Sequence, residues 1–328
     1  MRWVQRLAAV GMATAASLSG AVRLWAGEPP AVAPSPSAVP LPTLGGKQFW
    51  ADELLFHQWR IQRNVYTEHC RLLDSDDLRH AWGSYEHCLA VLEEIKARRK
   101  LPPMRGRAVI VLHGLCHSRE GMSGLAQYLK EQGGLQVFNV GYPSTRLDIG
   151  EHARTLKHIL DHLDGIEQID FVAHSMGNIV IRYYLADQAG KPDRRLRRFV
   201  MLGPPNREAY LASLAADNVL FQLIAGAPGQ QLGRQWEELQ QHLATPRFEF
   251  GIIAGGRQGE RGYNPLLPGD NDGVVSVSGT RLAGAADFAV LPVLHMVMMN
   301  DAKAQEYTLR FLQHGYFISP ERKQPIAK

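Results

Sequence analysis

Cysteine is scarce in this sequence. Only Cys70, Cys88 and Cys116 occur among 328 residues, so at most one intramolecular disulfide can form and a disulfide scaffold is excluded. If Cys70 ends one helix and Cys88 lies within the next, an antiparallel hairpin would separate them by roughly 15 Å, which exceeds disulfide reach. If the segment before Cys70 is not helical, a disulfide between the two stays open.

The net charge of the sequence is also low. The formal net charge is +4, and three of the positive charges, Arg2, Arg6 and Arg23, precede the first acidic residue, which leaves +1 for the rest of the chain. This balance gives no electrostatic support for nucleic-acid binding. We therefore expect no nucleic-acid partner.

The sequence has no internal repeat and no complete metal-binding motif. Carboxylates alternate in Asp270-Asn271-Asp272-Gly273 as they do in calcium loops. Counted from Asp270 as position one, however, position twelve is Arg281, where an EF-hand loop has a bidentate glutamate. An EF-hand is excluded, while a single calcium ion in this loop stays open. No cofactor and no catalytic metal are expected.

The first residues have the character of a targeting segment. Arg2 and Arg6 precede an apolar run of about 16 residues over 7–22, slightly short for a membrane span and slightly long for the apolar part of a signal peptide. We predict a signal peptide or membrane anchor over 1–28, and hence an exported protein that is periplasmic, secreted or associated with the membrane through this segment. Residues 29–44, rich in Pro, Ala and Ser, predict an extended linker.

Residues 45–106 are predicted to form a helical extension. Apolar residues recur there at helical spacing after the run Ser75-Asp76-Asp77, which is suited to cap a helix. These residues are Leu78, Trp82, Tyr85, Leu89 and Leu92.

From residue 107 onward, apolar runs typical of buried strands alternate with amphipathic segments typical of helices. The alternation predicts an α/β fold with a mostly parallel sheet and helices on both faces, in one catalytic domain over 107–328. It breaks between 207 and 248, where clustered apolar residues predict a cap or lid insertion. Strands are predicted at 108–112, 135–140, 169–173, 199–202, 250–254 and 288–293, and helices at 121–132, 149–163, 176–188 and 301–314.

A serine suited to act as a nucleophile follows the third of these strands. Ala173-His174-Ser175-Met176-Gly177 is a G-x-S-x-G pattern with Ala in the first position, and small residues two before and two after the serine permit a sharp strand-to-helix turn. The alternative is a serine that only caps the helix. After the first strand, His113-Gly114-Leu115 brings a backbone amide towards the nucleophile, so Leu115 and Met176 are candidates for an oxyanion hole. We interpret His113 as structural.

An acid and a base follow the serine in the chain order that accompanies this type of motif. His295 comes directly after the last predicted strand, where it is a candidate general base, and Asp272 precedes that strand as the candidate that orients it. Asp270, two residues earlier, is the competing acid. We prefer Asp272, because Gly269-Asp270-Asn271 has the composition of an exposed turn.

Together, His113-Gly114, the motif around Ser175, Asp272-Gly273-Val274-Val275 and Leu294-His295 resemble bacterial lipases and esterases of the α/β-hydrolase superfamily. The resemblance covers roughly 107–315. It implies Ser175 as acyl-forming nucleophile, His295 as general base and acid, and Asp272 as its partner. Two positions depart from the family pattern. Ala173 replaces the usual glycine of the motif. The second departure is Gly203-Pro204-Pro205-Asn206, at the place where many lipases have a T-P-H type sequence, and this departure affects the expected acyl pocket.

These features predict a serine hydrolase that cleaves a small-molecule or lipid-like carboxylic ester through an acyl-enzyme intermediate. An amidase or an acyltransferase would use the same three residues, because the pocket decides which acceptor receives the acyl group. A protein of the same fold that binds a lipid or a partner without catalysis is the alternative of a different class.

Overall fold

The structure is a computed structural model that describes residues 41–42, 47–188, 190–207 and 219–328, all within one compact unit, Pro40–Lys328. The predicted signal peptide or anchor (1–28) lies outside the described residues. So do most of the predicted linker (29–44) and residues 208–218 of the predicted insertion. Among the helices of the described part, none is long and apolar enough to cross a membrane.

A parallel sheet of six strands forms the centre of the protein, in the order β7-β6-β8-β9-β10-β11, and every neighbouring pair is parallel. The predicted strand–helix alternation and the predicted fold class are confirmed. The strands are β6 (Gly106–Leu112), β7 (Gln136–Val140), β8 (Ile166–His174), β9 (Leu196–Leu202), β10 (Glu249–Gly255) and β11 (Asp287–Leu291).

Helices cover both faces of this sheet, because its strands are apolar on both sides. In β6, Ala108, Ile110 and Leu112 belong to one buried cluster, whereas Val109 and Val111 belong to the cluster on the opposite face. The described helices of 107–328 are α2 (Ser123–Gly133), α3 (Ile149–Asp161), α4 (Met176–Asp187), α5 (Val219–Leu232), α6 (Trp236–Gln241), α7 (Val277–Thr280) and α8 (Ala302–His314).

The predicted helical extension is wrong. Residues 50–83 form an antiparallel sheet, and only α1 (Tyr85–Arg99) is an α-helix before residue 107 in the described part. The sheet has the order β1-β5-β4-β3-β2. Its strands are β1 (Leu41–Pro42), β2 (Trp50–Phe56), β3 (Trp59–Asn64), β4 (Cys70–Leu73) and β5 (Leu78–Gly83).

The error arose at the turn between β4 and β5. The Asp74 carboxylate accepts hydrogen bonds from the amides of Asp76 and Leu78, both at 3.0 Å, so the Asp-rich run closes a hairpin turn instead of capping a helix. The cap of α1 is Ser84, whose hydroxyl accepts from the His87 amide at 3.2 Å.

The antiparallel sheet packs on the parallel one and shares its core. Apolar residues of β2 to β4, among them Leu54, Ile61 and Leu72, belong to the same buried cluster as Ile110 of β6. At the contact, the Asp52 amide donates to the carbonyl of Gly141 at 2.9 Å, and the Gly141 amide donates to the Asp52 carboxylate at 2.7 Å. The extension is therefore an integral part of the domain and not an appendage.

Within the predicted insertion, the described residues include α5 and α6. Gly226 of α5 has a φ of +61°, and a Cβ placed on it would lie 1.9 Å from the carbonyl oxygen of Thr145. Only glycine permits this approach. The insertion thus reaches the loop that follows β7, at the carboxyl edge of the parallel sheet.

The cysteines form no disulfide. Cys70, in β4, and Cys88, in α1, are both free and fully buried, and Cys116 is free and exposed. Because Cys70 lies in a strand, the helical hairpin assumed for this pair does not exist. Burial raises the pKa of the Cys88 thiol to about 12, so this thiol is protonated and unreactive at neutral pH.

Candidate active site

Ser175 lies on a strained turn between β8 and α4. Its φ of 52° and ψ of −124° are sparsely populated for a residue with a side chain. The Ser175 amide donates to the carbonyl of Leu202 in the adjacent strand at 2.9 Å, which holds the turn against β9. A Cβ on Gly177 would lie 2.7 Å from the carbonyl oxygen of His113, so the small residue two positions after the serine is a steric requirement.

The loop after β6 meets the same turn. A Cβ on Gly114 would lie 2.9 Å from the Cβ of Ser175, so the backbone leading to Leu115 runs directly beside the serine. Met176 is the first residue of α4, where an amide has no carbonyl one turn earlier to bind. The two amides proposed from the sequence for an oxyanion hole, those of Leu115 and Met176, thus belong to the two segments that meet at Ser175.

His295 and Asp272 form a buried pair. The Nδ1 of His295 lies 2.7 Å from Oδ2 of Asp272, and the His295 amide donates to the Asp272 carbonyl at 2.9 Å. The other carboxylate oxygen, Oδ1, accepts from the amides of Val274 and Val275 at 2.9 and 2.7 Å. These bonds fix the carboxylate, and through it the tautomer that carries a proton on Nδ1 and a lone pair on Nε2.

Asp270 is placed differently from Asp272. Its carboxylate accepts from the amides of Arg257 and Gln258 at 2.7 and 2.9 Å, and so closes a loop. Throughout the described ranges, no group of three His, Cys, Asp or Glu side chains is arranged to hold a metal ion.

His174 and Gly203 also contact this pair, although neither was predicted as a site residue. The Nε2 of His174 donates to the His295 carbonyl at 3.0 Å, and the two ring centres are 4.6 Å apart. A Cβ on Gly203 would lie 3.0 Å from His295 Nδ1 and 3.3 Å from Asp272 Oδ2. Since Gly203 follows the Leu202 that binds Ser175, the structure brings Ser175, Asp272 and His295 to one edge of the sheet.

The only available signal for His174 was its place inside the motif around Ser175. Burial, followed by the nearby charge of His295, holds the pKa of His174 well below its ordinary value. A neutral His174 donates from Nε2 without adding positive charge beside His295.

Behind the loop after β6, aromatic rings stack on one another. His113 lies flat on Tyr142 with ring centres 4.1 Å apart, and the edge of His152 meets Tyr142 at 4.8 Å. Burial lowers the pKa of His113 to about 4 and that of His152 to about 3. Both histidines are therefore neutral at pH 7, in keeping with a structural role for His113.

Residues 107–250 match the model of a family described as alpha/beta hydrolase fold. No curated protein matches the chain. Among solved structures, the product of the gene lin2722 from Listeria innocua is similar, with 19% identity, coverage of 64% of this chain and 94% of that one, and a TM-score of 0.45.

Two further solved structures are similar over a comparable share of the chain. Phospholipase PlaB from Legionella pneumophila, in complex with thio-NAD, has 17% identity and a TM-score of 0.48. The match covers 63% of this chain and 58% of the phospholipase chain. Lipase BlEst2 from Bacillus licheniformis, in its mature form, has 18% identity and a TM-score of 0.44. The match covers 63% of this chain and 90% of the lipase chain.

Proposed function

From its place in the α/β-hydrolase superfamily, we propose that this protein hydrolyses carboxylic esters with an apolar acyl group, with Ser175 as nucleophile. The observation that carries the proposal is the buried Asp272–His295 pair, with Nδ1 2.7 Å from the carboxylate, at the sheet edge where Ser175 lies on its strained turn. Such a pair leaves the Nε2 lone pair as a base, which is what a serine hydroxyl needs to attack an ester.

The reaction would proceed in two stages, formation of the acyl-serine and its hydrolysis. Oγ of Ser175 attacks the ester carbon while His295 Nε2 takes the hydroxyl proton, and the amides of Leu115 and Met176 stabilise the oxyanion. The carbon–oxygen bond to the alcohol then breaks, and His295 returns the proton to that alcohol. In the second stage, water gives a proton to His295 and attacks the acyl-serine, and Ser175 regains its proton as the acid leaves.

The test uses the full chain, a series of nitrophenyl esters and a fluorophosphonate probe that labels active serines. Ser175→Ala should abolish both turnover and labelling, because it removes the hydroxyl that accepts the acyl group. Ser123→Ala is the matched control, since Ser123 is exposed on α2 and its hydroxyl donates only to the Glu120 carbonyl at 2.7 Å. Turnover that survives in Ser175→Ala would contradict the proposal.

The same assay separates the alternatives. Labelling without turnover of simple esters would favour an amidase or an acyltransferase, and transfer to an added alcohol would identify the second of these. Neither labelling nor turnover would favour a protein that binds its ligand without catalysis.

We also propose that the apolar run at 7–22 exports the protein. Fractionation of cells that produce the full chain should find it outside the cytosol, either free or with the membrane. Recovery of intact protein wholly in the cytosolic fraction would contradict export.

A further inference from the structure

A cavity of about 290 Å³ lies between the antiparallel sheet and the carboxyl edge of the parallel sheet. Trp50 and Arg71 line it from the antiparallel sheet, and His113 and Tyr142 line it from the parallel sheet. His113 precedes Gly114, which contacts the turn that carries Ser175. The loop that contacts the Ser175 turn therefore also borders the cavity, and about half of the lining residues come from the extension.

Arg71 is held in this cavity by neutral groups. Its Nε and Nη2 donate to the Gln62 side-chain oxygen at 3.0 and 2.8 Å, and its guanidinium lies 3.8 Å from the centre of the Trp50 ring. Gln62 is fixed in turn because its amide nitrogen donates to Asp52 at 2.7 Å. The plane of the guanidinium is thus set in advance, and Nη1 remains free to bind a ligand.

Four of the other five charged groups in the wall form two ion pairs. Arg119 pairs with Asp77, and Lys47 pairs with Glu120 at 3.1 Å. The remaining acid, Asp76, is exposed to solvent.

Arg71 differs from these groups. Among the described residues, it is the one cation lining this cavity that has no carboxylate partner. Burial lowers the pKa of Arg71 to about 10, although Asp77 and Asp52 act to raise it, so the group is charged at neutral pH. A half-buried guanidinium without a directly bonded carboxylate can still form a charge-assisted hydrogen bond with an anion.

The ring of His113, whose residue also borders the cavity, is almost fully buried. Its Nδ1 donates to the Gly114 carbonyl at 3.0 Å, and its Nε2 is buried without a partner among the described residues. As an unprotonated nitrogen, Nε2 accepts a hydrogen bond from a hydroxyl group or a water molecule. Because this nitrogen is itself buried, Arg71 and not His113 Nε2 is the group that a ligand in the cavity reaches.

We propose that this cavity is a subsite for an anionic group of the ester substrate, a carboxylate or phosphate whose oxygens accept from the Arg71 guanidinium. The inference rests on the proposed ester hydrolysis and adds a substrate class to it: an ester that carries one negative charge besides its apolar part.

The test compares anionic and neutral esters of matched size on the full chain. On the acyl side, the mono-para-nitrophenyl ester of adipic acid is paired with para-nitrophenyl hexanoate. On the alcohol side, the hexanoyl ester of para-hydroxybenzoate is paired with that of its methyl ester. We expect the wild type to prefer the anionic member of one pair, and that pair shows which side of the ester enters the cavity.

Arg71→Met should lower the ratio of kcat/KM for the anionic ester to kcat/KM for the neutral one by about tenfold, the size expected for one charge-assisted contact. Arg71→Lys should restore part of the ratio. Arg79→Met is the matched control. Arg79 lies in β5, next to the strand that carries Arg71, and its guanidinium carbon is 5.5 Å from the centre of the Trp82 ring in the same strand. Arg79 does not line the cavity. The ratio should keep its wild-type value in this variant.

Three outcomes would overturn the subsite. They are a wild type without anionic preference in either pair, an unchanged ratio in Arg71→Met, or an equal change in Arg79→Met. If Ser175→Ala removes turnover in any of these cases, ester hydrolysis stands and only the subsite fails.

If no ester is hydrolysed, anion binding is tested by itself through the melting temperature in adipate or inorganic phosphate. A rise in the wild type and in Arg79→Met, but not in Arg71→Met, would support the anion site without the reaction. No rise in the wild type would overturn the anion site as well.

Discussion

The backbone of Gly203 lies directly against the imidazole of His295. A Cβ on Gly203 would come within 3.0 Å of Nδ1, the nitrogen that is 2.7 Å from the Asp272 carboxylate. Gly203 also has a φ of +50°, which favours glycine. The residue that follows β9 therefore decides whether the histidine and the aspartate can meet.

Gly203→Ala should lower kcat by about tenfold or more, because the added methyl displaces the imidazole and small misplacements of a catalytic group are costly. Gly269→Ala is the matched control. Its φ is +64° and nothing lies within 4 Å of an added Cβ, so it has the same backbone strain without the contact. Esterase kinetics and melting temperatures on both variants give the comparison. An equal loss of kcat in the two would attribute the effect to strain alone.

Asp272→Asn should lower kcat on the order of 10⁴-fold or somewhat less, because the amide no longer stabilises the imidazolium or the required tautomer. Asp270→Asn should cost much less, since Asp270 binds the amides of Arg257 and Gln258. Both variants are assayed on a short-chain ester, with circular dichroism to confirm folding. A near-normal kcat in the folded Asp272→Asn variant, together with a strongly lowered kcat in Asp270→Asn, would reverse the two roles.

Acid should destabilise the protein through buried His152. Its pKa is lowered by burial from 6.5 to about 3, so between these pH values the unfolded chain binds a proton that the folded one does not. Stability is then lost as the pH falls through this window, by about 1.4 kcal/mol per pH unit. His152→Phe should reduce the loss of unfolding free energy between pH 7 and pH 5 by about 2 kcal/mol.

Urea denaturation at the two pH values measures this difference. His242→Phe, at an exposed position, should leave the pH dependence as it is in the wild type. An unchanged slope in His152→Phe would show that this residue does not control acid stability.

Asp52 should be essential for the attachment of the extension. Its carboxylate is fully buried and binds Arg60 Nη1 at 2.8 Å, Gln62 at 2.7 Å and the Gly141 amide at 2.7 Å. Asp52→Asn should lower the unfolding free energy by about 3 kcal/mol or more, because it leaves Arg60 half-buried without a counter-charge.

The neighbouring Glu53→Gln removes the more exposed pair with Arg63 and should cost less than about 1 kcal/mol. Chemical denaturation of the two variants provides the comparison. Similar losses for both would mean that the Asp52 network adds nothing beyond an ordinary surface pair.

The insertion should control the length of the acyl chain. The sequence clusters apolar residues around 220–221, and Gly226 of the same helix lies against the Thr145 carbonyl. Replacing Leu220 and Phe221 with Ser should lower kcat/KM for long-chain esters by about tenfold or more and leave acetate turnover nearly unchanged, because each buried methylene contributes about 0.8 kcal/mol. Tyr66→Ser, an exposed change in the extension, is the control. Equal losses on both esters would show that the segment only packs.

The α/β domain was predictable because its signals are local. Strand β6 is a continuous apolar run, which is what a strand buried on both faces requires, and the turn at Ser175 needs small residues at fixed positions on either side. Strand, nucleophile motif and helix follow one another in the chain. The sequence could therefore show the fold class and identify Ser175, Asp272 and His295 as candidates.

The extension was mispredicted because its signals are ambiguous over short distances. Leu78, Trp82 and Tyr85 fit a helical period, but the hydrogen bonds of Asp74 close a hairpin and Leu78–Gly83 pairs as a strand with β4. Strand pairing depends on partners elsewhere in the chain, and a single stretch of sequence does not reveal them.

The sequence by itself determined the strand–helix order of residues 107–328 and the residue types that a serine hydrolase requires, because both are written in local periodicity and spacing. Only the tertiary structure decided that Asp272 rather than Asp270 meets His295, that Gly203 and His174 border that pair, and that Arg71 of the extension borders the same cavity as His113. Each of these contacts joins segments far apart in the chain, and packing, not spacing, sets the distances between them.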